Sequence, residues 1–239
     1  MEISLEKLKR KVKTFDLIFF RGPEITSKTI SFTMSLELKK SNKALYSHLG
    51  LVILGKDFPY YHKYYSPDKI YIWESTLSWN RLGDGIKDVD GKRSFGVQLR
   101  DLEEVIDKNC GLTTTSVAWC KLKKPCIIDP YKLANVFKKH QGKTYEINIF
   151  NLLAAVFPCL RKYRKSVHKM CCCCKTDQST YVFCSELVAI VYKEFGILNK
   201  HVKPENVIPP DFISFNGKET FDEDNEIPVL LDIPCRIFV

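Results

Sequence analysis

The sequence predicts an α+β protein built around a central, mainly antiparallel β-sheet. Short runs of aliphatic and aromatic residues with β-strand character fill the first half of the chain, and amphipathic helical patterns dominate the second half. The 239 residues are 45% hydrophobic and 27% charged, a composition typical of a globular protein with a buried core. Because no internal repeat and no linker sequence interrupts the chain, we predict a single domain over residues 1–239.

The first half of the chain is expected to supply four strands. A short N-terminal helix comes before them, because apolar residues recur at roughly helical spacing within residues 1–12. Strands are then predicted for FDLIFF, YSHLGLVIL, KIYIWES and FGVQL, which begin at Phe15, Tyr46, Lys69 and Phe95. The last of these strands leads into a helix that starts near Arg100 or Asp101.

One further strand and two helices follow. The run SVAWCKL over residues 116–122 predicts a strand, and DPYKLANVFKKH predicts a helix with Asp129 as its N-cap and Pro130 at its first position. Gly142 ends that helix. The stretch YVFCSELVAIVYKEFG, residues 181–196, predicts a short β-run and then a helix, whose apolar stripe consists of Leu187, Val188, Val191, Tyr192 and Phe195.

Cys184 falls in the first turn of this last helix. Unpaired backbone N–H groups and the helix dipole favour an anion at that position, and a thiolate is such an anion. The same N–H groups can bind the oxyanion of a tetrahedral intermediate. The helix start therefore makes Cys184 a candidate nucleophile, and a buried, unreactive thiol is the alternative.

A nucleophilic cysteine needs a general base and a group that orients the base. His48 stands at the start of an apolar strand, where an imidazole needs a polar partner. Glu74 shares the face of Ile70 and Ile72 by two-residue alternation, so its carboxylate needs a partner as well. If the two strands are neighbours, Glu74 can fix the tautomer of His48, although a hydrogen-bonded edge histidine without a catalytic role is the alternative. We expect solvated side chains or helix-end cations at the other histidines, His62, His140, His168 and His201.

In the chain order His48, Glu74, Cys184, these sites resemble the circularly permuted NlpC-type branch of the papain-like superfamily, which includes bacterial YiiX-like proteins, relatives of lecithin–retinol acyltransferase, and poxvirus proteins. YSHLGLVI resembles the histidine strand of that group, IWES its acidic strand, and YVFCSELV its Tyr-x-Cys-Ser-Glu-Leu motif. FDLIFF has Phe15 where the group has glycine, and GKTYEINIF has Glu146 where the group has aspartate. With FGVQLRDL and IPPDF, the resemblance spans about residues 15–212.

The resemblance implies a permuted papain-like fold, in which the helix that carries the nucleophile at its N-terminus packs against the sheet. It implies that Cys184 is the nucleophile, His48 the general base and Glu74 the residue that orients the base. The expected activity is that of a thiol hydrolase (an amidase or peptidase) or an acyltransferase, which forms an acyl-enzyme from a peptide, amide, ester or lipid-linked substrate. The alternative is a catalytically silent binding protein, such as a viral accessory protein, that uses the same groove.

A basic, cysteine-rich insertion over residues 161–177 precedes the Cys184 helix. Contiguous cysteines are a poor zinc motif, although the first and last of the run have the usual two-residue spacer, and the run lacks the interleaved aromatic residues of a nucleic-acid site. Attachment to an anionic membrane fits better, because a polybasic segment next to S-acylated cysteines gives two anchoring signals, whereas a solvated insertion is the alternative. The candidate attachment residues are Arg161, Lys162, Arg164, Lys165, Lys169, Cys171, Cys172, Cys173 and Cys174.

Net charge and targeting signals limit the partners and the cellular location that we expect. The net charge of +9 favours an anionic partner, for which a membrane surface is preferred over nucleic acid. The first residues lack the apolar core of a secretory signal, and the longest apolar run, residues 147–160, is too short to span a bilayer. We therefore predict a cytoplasmic protein (host cytoplasm or virion if viral) that is not secreted, associates peripherally with membranes, keeps its cysteines reduced and needs no cofactor or metal.

Overall fold

A computed structural model of the protein describes residues 2–21, 46–59, 63–76, 86–92, 96–110, 116–123, 126–145, 181–212 and 235–238. Its strands are β1 (Glu2–Ser4), β2 (Leu17–Arg21), β3 (His48–Leu54), β4 (Ile70–Thr76), β5 (Gly96–Asp101), β6 (Ser116–Cys120), β7 (Thr144–Tyr145), β8 (Tyr181–Val182) and β9 (Cys235–Phe238). Its α-helices are α1 (Leu5–Lys11), α2 (Leu102–Cys110), α3 (Pro130–His140) and α4 (Cys184–Glu194). Short 3₁₀ turns lie at Gly55–Asp57, Pro204–Asn206 and Pro209–Phe212.

Seven of the described strands form one open sheet in the order β1-β9-β6-β2-β3-β4-β5. Neighbouring strands are antiparallel throughout, except that β1 runs parallel to β9. A separate pair, β7 and β8, is parallel and lies next to β5. The α+β class with a mainly antiparallel sheet is therefore confirmed.

The predicted elements agree with the structure to within two or three residues, with one exception. Residues 2–4, which the sequence assigned to the N-terminal helix, form β1, and the helix begins only at Leu5. This prediction was wrong because β1 pairs with β9, where Ile3 stands opposite Ile237 at the far end of the chain. A pairing between segments so distant leaves no trace in local periodicity.

The sheet separates two apolar cores, because successive side chains of each strand point to opposite faces. One core contains Leu51, Trp73 and Leu99 together with Leu187 and Val188 of α4. The other contains Ile18, Val52 and Ile72 together with residues of α1 and α2, such as Leu8 and Val105. Helix α4 is thus packed against β3 and β4, the strands that carry His48 and Glu74.

The turn before β2 ties the sheet to α4. Phe15 has a φ of 76°, a conformation in which glycine is the usual residue, and its ring is fully buried beside Tyr192 and Phe195. The Tyr192 hydroxyl donates to the carbonyl oxygen of Phe15 over 2.7 Å. The next residue, Asp16, is buried and accepts hydrogen bonds from the Trp119 indole and the Leu122 backbone, so its carboxylate joins the start of β2 to the end of β6.

Candidate active site

Helix α4 begins at Cys184 and is held in place near its start. Phe183 is the N-cap, and its backbone N–H donates to the Glu186 carboxylate over 3.3 Å, which satisfies one backbone donor of this end. The Ser75 hydroxyl of β4 donates to the Val182 carbonyl over 2.6 Å, and the Ser185 hydroxyl donates to the Val207 carbonyl over 2.7 Å. These bonds fix the first turn of α4 relative to the sheet, and they leave the Cys184 residue only 4% exposed.

His48 and Glu74 meet across neighbouring strands, which was the condition that the sequence analysis set for their contact. His48 is the first residue of β3, Glu74 belongs to β4, and these strands pair directly. Their side chains form a 2.5 Å contact between Nε2 of His48 and Oε2 of Glu74. The imidazole is 22% exposed and the carboxylate 1% exposed, so the contact lies at the margin of a buried region. Gly50 leaves room for it, because a Cβ there would lie 3.1 Å from Cβ of Glu74 and closer still to Ile72.

Cys184 acts on the same imidazole. Its charge and side-chain hydrogen bonding are the largest influences that raise the pKa of His48, which places the thiol near the ring. Because Nε2 of His48 is engaged by Glu74, Nδ1 is the ring nitrogen that remains for the thiol. The structure therefore brings the three residues together around His48, which contacts Glu74 directly and is influenced by the Cys184 side chain.

Arg100 is the member of this site that sequence reasoning missed. It lies in β5, next to β4, and is 4% exposed. Its guanidinium donates to Oε1 of Glu74 from Nε over 3.0 Å and from Nη2 over 2.6 Å. The sequence did contain a signal, a charged residue in the run FGVQLRD, where polar and apolar residues alternate. The partner of Arg100 cannot be predicted from that run, because only the pairing of β4 with β5 brings Arg100 to Glu74.

The charges of these groups reinforce each other. Burial lowers the pKa of His48, but the charge and hydrogen bond of Cys184, followed by those of Glu74, outweigh burial and raise this pKa to about 10. Burial raises the pKa of Glu74, yet Arg100 and His48 lower it to about 2. The site therefore favours a protonated His48 beside an ionised Glu74.

The raised pKa of His48 predicts that the ring contributes less to stability as the pH rises. The folded protein holds the imidazole proton up to about pH 10, whereas the unfolded chain releases it near 6.5. The contribution of His48 is therefore complete below pH 6.5 and is lost as the pH rises through about 10, at up to about 1.4 kcal/mol per pH unit. Urea unfolding of the wild type and of His48→Gln between pH 6 and 10 measures it.

In that experiment the difference in unfolding free energy between the wild type and His48→Gln should shrink steadily with pH. His201→Gln is the matched control, because His201 is exposed and belongs to no part of the site. A wild-type minus His48→Gln difference that stays as flat as the one for His201→Gln would contradict the proposed charge state.

The remaining candidate residues are distributed as follows. The basic and cysteine-rich residues of 161–177 lie outside the described residues, as do His62 and His168.

His140 was expected to be solvated or a helix-end cation, and this was wrong. It is buried, and desolvation with nearby lysines lowers its pKa to about 4, so it is neutral at pH 7. All five cysteines of the described part of the chain are free thiols.

Two features of the described ranges concern other classes of site. No helix there is long and apolar enough to cross a membrane. The same residues contain no group of three or more His, Cys, Asp or Glu side chains placed to hold a metal ion. Comparison of the whole chain with protein-family models and with curated proteins gave no match.

Proposed function

We propose that the protein is a cysteine-dependent hydrolase or acyltransferase that acts on an amide, ester or thioester bond. The observation that carries this proposal is the direct contact between His48 and Glu74, beside which Cys184 stands at the first position of α4 and acts on the same imidazole. A nucleophile, a base and an orienting carboxylate in one place are the minimum set for acyl transfer through a covalent intermediate.

The proposed reaction has two half-reactions. In the first, the Cys184 thiolate attacks the acyl carbon, the carbon–heteroatom bond breaks, and the His48 imidazolium gives its proton to the leaving amine, alcohol or thiol. In the second, neutral His48 takes a proton from water or another acceptor, which attacks the thioester and releases the Cys184 thiolate. Glu74 holds Nε2 throughout, so Nδ1 stays directed at the reacting atoms.

We infer the fold family from the same features. Three features support a permuted papain-like fold: the permuted order of His48, Glu74 and Cys184, the packing of α4 against β3 and β4, and a 3₁₀ turn at Pro209–Phe212. That turn begins two residues after Val207, whose carbonyl oxygen accepts from Ser185. The left-handed conformation of Phe15, at the position where the family has glycine, is a further point in favour.

The decisive experiment asks whether activation or accessibility decides which cysteine reacts. The protein is incubated with short- and long-chain acyl thioesters and p-nitrophenyl esters, and adducts are mapped by intact mass and peptide digestion. Accessibility alone favours the partly exposed Cys110 and Cys126 over the buried Cys184. We expect the first adduct on Cys184, because His48 would activate its thiol.

The outcome that would overturn the proposal is equally specific. Acylation confined to cysteines other than Cys184, with every donor, would leave a catalytically silent binding protein as the better description. Because residues 161–177 predict membrane attachment, the donors are also presented in anionic vesicles, where a lipid-linked substrate should react faster than a soluble one.

A further inference from the structure

A buried arginine stands directly behind the proposed catalytic residues. Both donors that Arg100 directs at Glu74 end on the same oxygen, Oε1, while Oε2 of that carboxylate contacts His48. The carboxylate is therefore divided between two partners, one for each oxygen. Since Arg100 and Glu74 are almost completely buried, little water competes for either charge.

The backbone on both sides of Arg100 is held as well. On one side, β5 pairs with β4, where Arg100 stands opposite Ile72. On the other side, Asp88 forms a β-bridge with Arg100 and closes its own turn by accepting from the backbone N–H groups of Asp90 and Lys92 over 2.9 Å. The guanidinium is thus presented to Glu74 from a rigid position, which is the condition for orienting another side chain.

We propose that Arg100 is a positioning residue of the catalytic site, which fixes the Glu74 carboxylate so that its second oxygen stays directed at His48. The inference rests on the proposed function, because positioning has meaning only if His48 serves Cys184. Two donors from one planar guanidinium constrain the carboxylate more tightly than a single ammonium does. Arg100 also keeps Glu74 ionised in a place where burial alone would favour the neutral acid.

The alternative is a purely structural ion pair, which stabilises the sheet and has no effect on the reactivity of Cys184. The two hypotheses differ in the pH dependence that they predict for the reactivity of Cys184. The charged or titratable side chains that act on Glu74 are Arg100 from β5 and His48 from β3, with Cys184 of α4 beyond the imidazole. Without the guanidinium, Glu74 should take up a proton in mildly acidic solution and release His48. A positioning role predicts that the reactivity of Cys184 then falls at acidic pH, whereas a structural role predicts no change in its pH dependence.

The test uses alkylation of Cys184 by iodoacetamide, followed by peptide mass spectrometry, at pH 5 and pH 8. We expect the ratio of the rate at pH 5 to the rate at pH 8 to fall roughly tenfold or more in Arg100→Gln, because one pKa unit changes a protonation equilibrium tenfold. Arg100→Lys, which keeps the charge but loses the two-donor geometry, should recover the ratio at a lower rate at both pH values.

Leu99→Ala is the matched control for lost stability. Leu99 precedes Arg100 on the same strand but lies in the opposite core, so its truncation destabilises the fold without touching Glu74. We expect this variant to keep the wild-type ratio. If Arg100→Gln shows the same ratio as Leu99→Ala, Arg100 is only structural and the inference is overturned.

A second measurement needs no variant at position 100 and stands even if Arg100→Gln does not fold. Protein labelled with ¹⁵N-histidine is titrated by NMR from pH 7 to pH 4, and His48→Gln assigns the resonance. The NMR signal of the Nε2 proton of His48 should still be present and unshifted at pH 4, because Arg100 keeps the Glu74 carboxylate ionised and able to accept this hydrogen bond. Its disappearance around pH 4.5, the ordinary pKa of a glutamate, would overturn the inference.

These readouts do not depend on acyl chemistry. If no acyl donor modifies Cys184 but the alkylation ratio and the His48 proton respond as described, the proposed function fails while the link between Arg100 and His48 stands. If an acyl adduct forms on Cys184 but Arg100→Gln leaves the alkylation ratio unchanged, the proposed function stands and the positioning role of Arg100 fails.

Discussion

We expect Cys184→Ala to lose acyl-adduct formation and turnover completely, by a factor on the order of 10⁶ where the wild-type rate allows it to be measured. The reason is that the other members of the site act only through the thiolate. His48 can move a proton and Glu74 can orient the ring, but neither forms the covalent bond to the acyl group. Steady-state turnover and intact-mass labelling with the best donor measure the loss.

Cys235→Ala is the matched control for this substitution. Cys235 is a buried free thiol like Cys184, but it lies in β9, at a distance from the site along the sheet order. We expect the Cys235→Ala variant to keep the wild-type adduct and turnover. Activity that survives in Cys184→Ala, or that falls equally in both variants, would show that Cys184 is not the nucleophile.

The largest effect on stability is expected for Glu74→Ala. This substitution removes the carboxylate that pairs with the buried Arg100 and also removes the contact to His48. Breaking one side of a buried ion pair costs about 3–5 kcal/mol, because the remaining charge has lost its compensation. Urea denaturation at pH 7 should show this loss in the free energy of unfolding.

Two comparisons make the stability prediction specific. Glu6 also contacts a cation, Lys9, but its side chain is 69% exposed, so Glu6→Ala should cost about 1 kcal/mol or less. The double variant Glu74→Leu/Arg100→Met replaces both charges by apolar groups and should recover most of the loss of Glu74→Ala. Equal costs for Glu74→Ala and Glu6→Ala would show that the buried pair is already compensated by other groups.

Local patterns of the sequence were sufficient for most of the secondary structure. The apolar runs of the four early strands and the capping of α3 by Asp129 are properties of neighbouring residues, so they can be predicted without the fold. His140 has a property that local sequence patterns do not determine. Its place at the end of α3 suggested a cation, but only packing decides that it is buried and neutral.

In the candidate site, too, some features can be predicted from local sequence and others depend on the tertiary structure. The sequence by itself determined that Cys184 starts a helix and that His48 and Glu74 are polar groups in apolar strands, because these statements depend on spacing alone. Only the tertiary structure decided that β4 lies between β3 and β5, which brings His48 to one oxygen of Glu74 and Arg100 to the other. Strand order depends on contacts between residues that are far apart in the chain, and such contacts leave no local pattern from which they can be predicted.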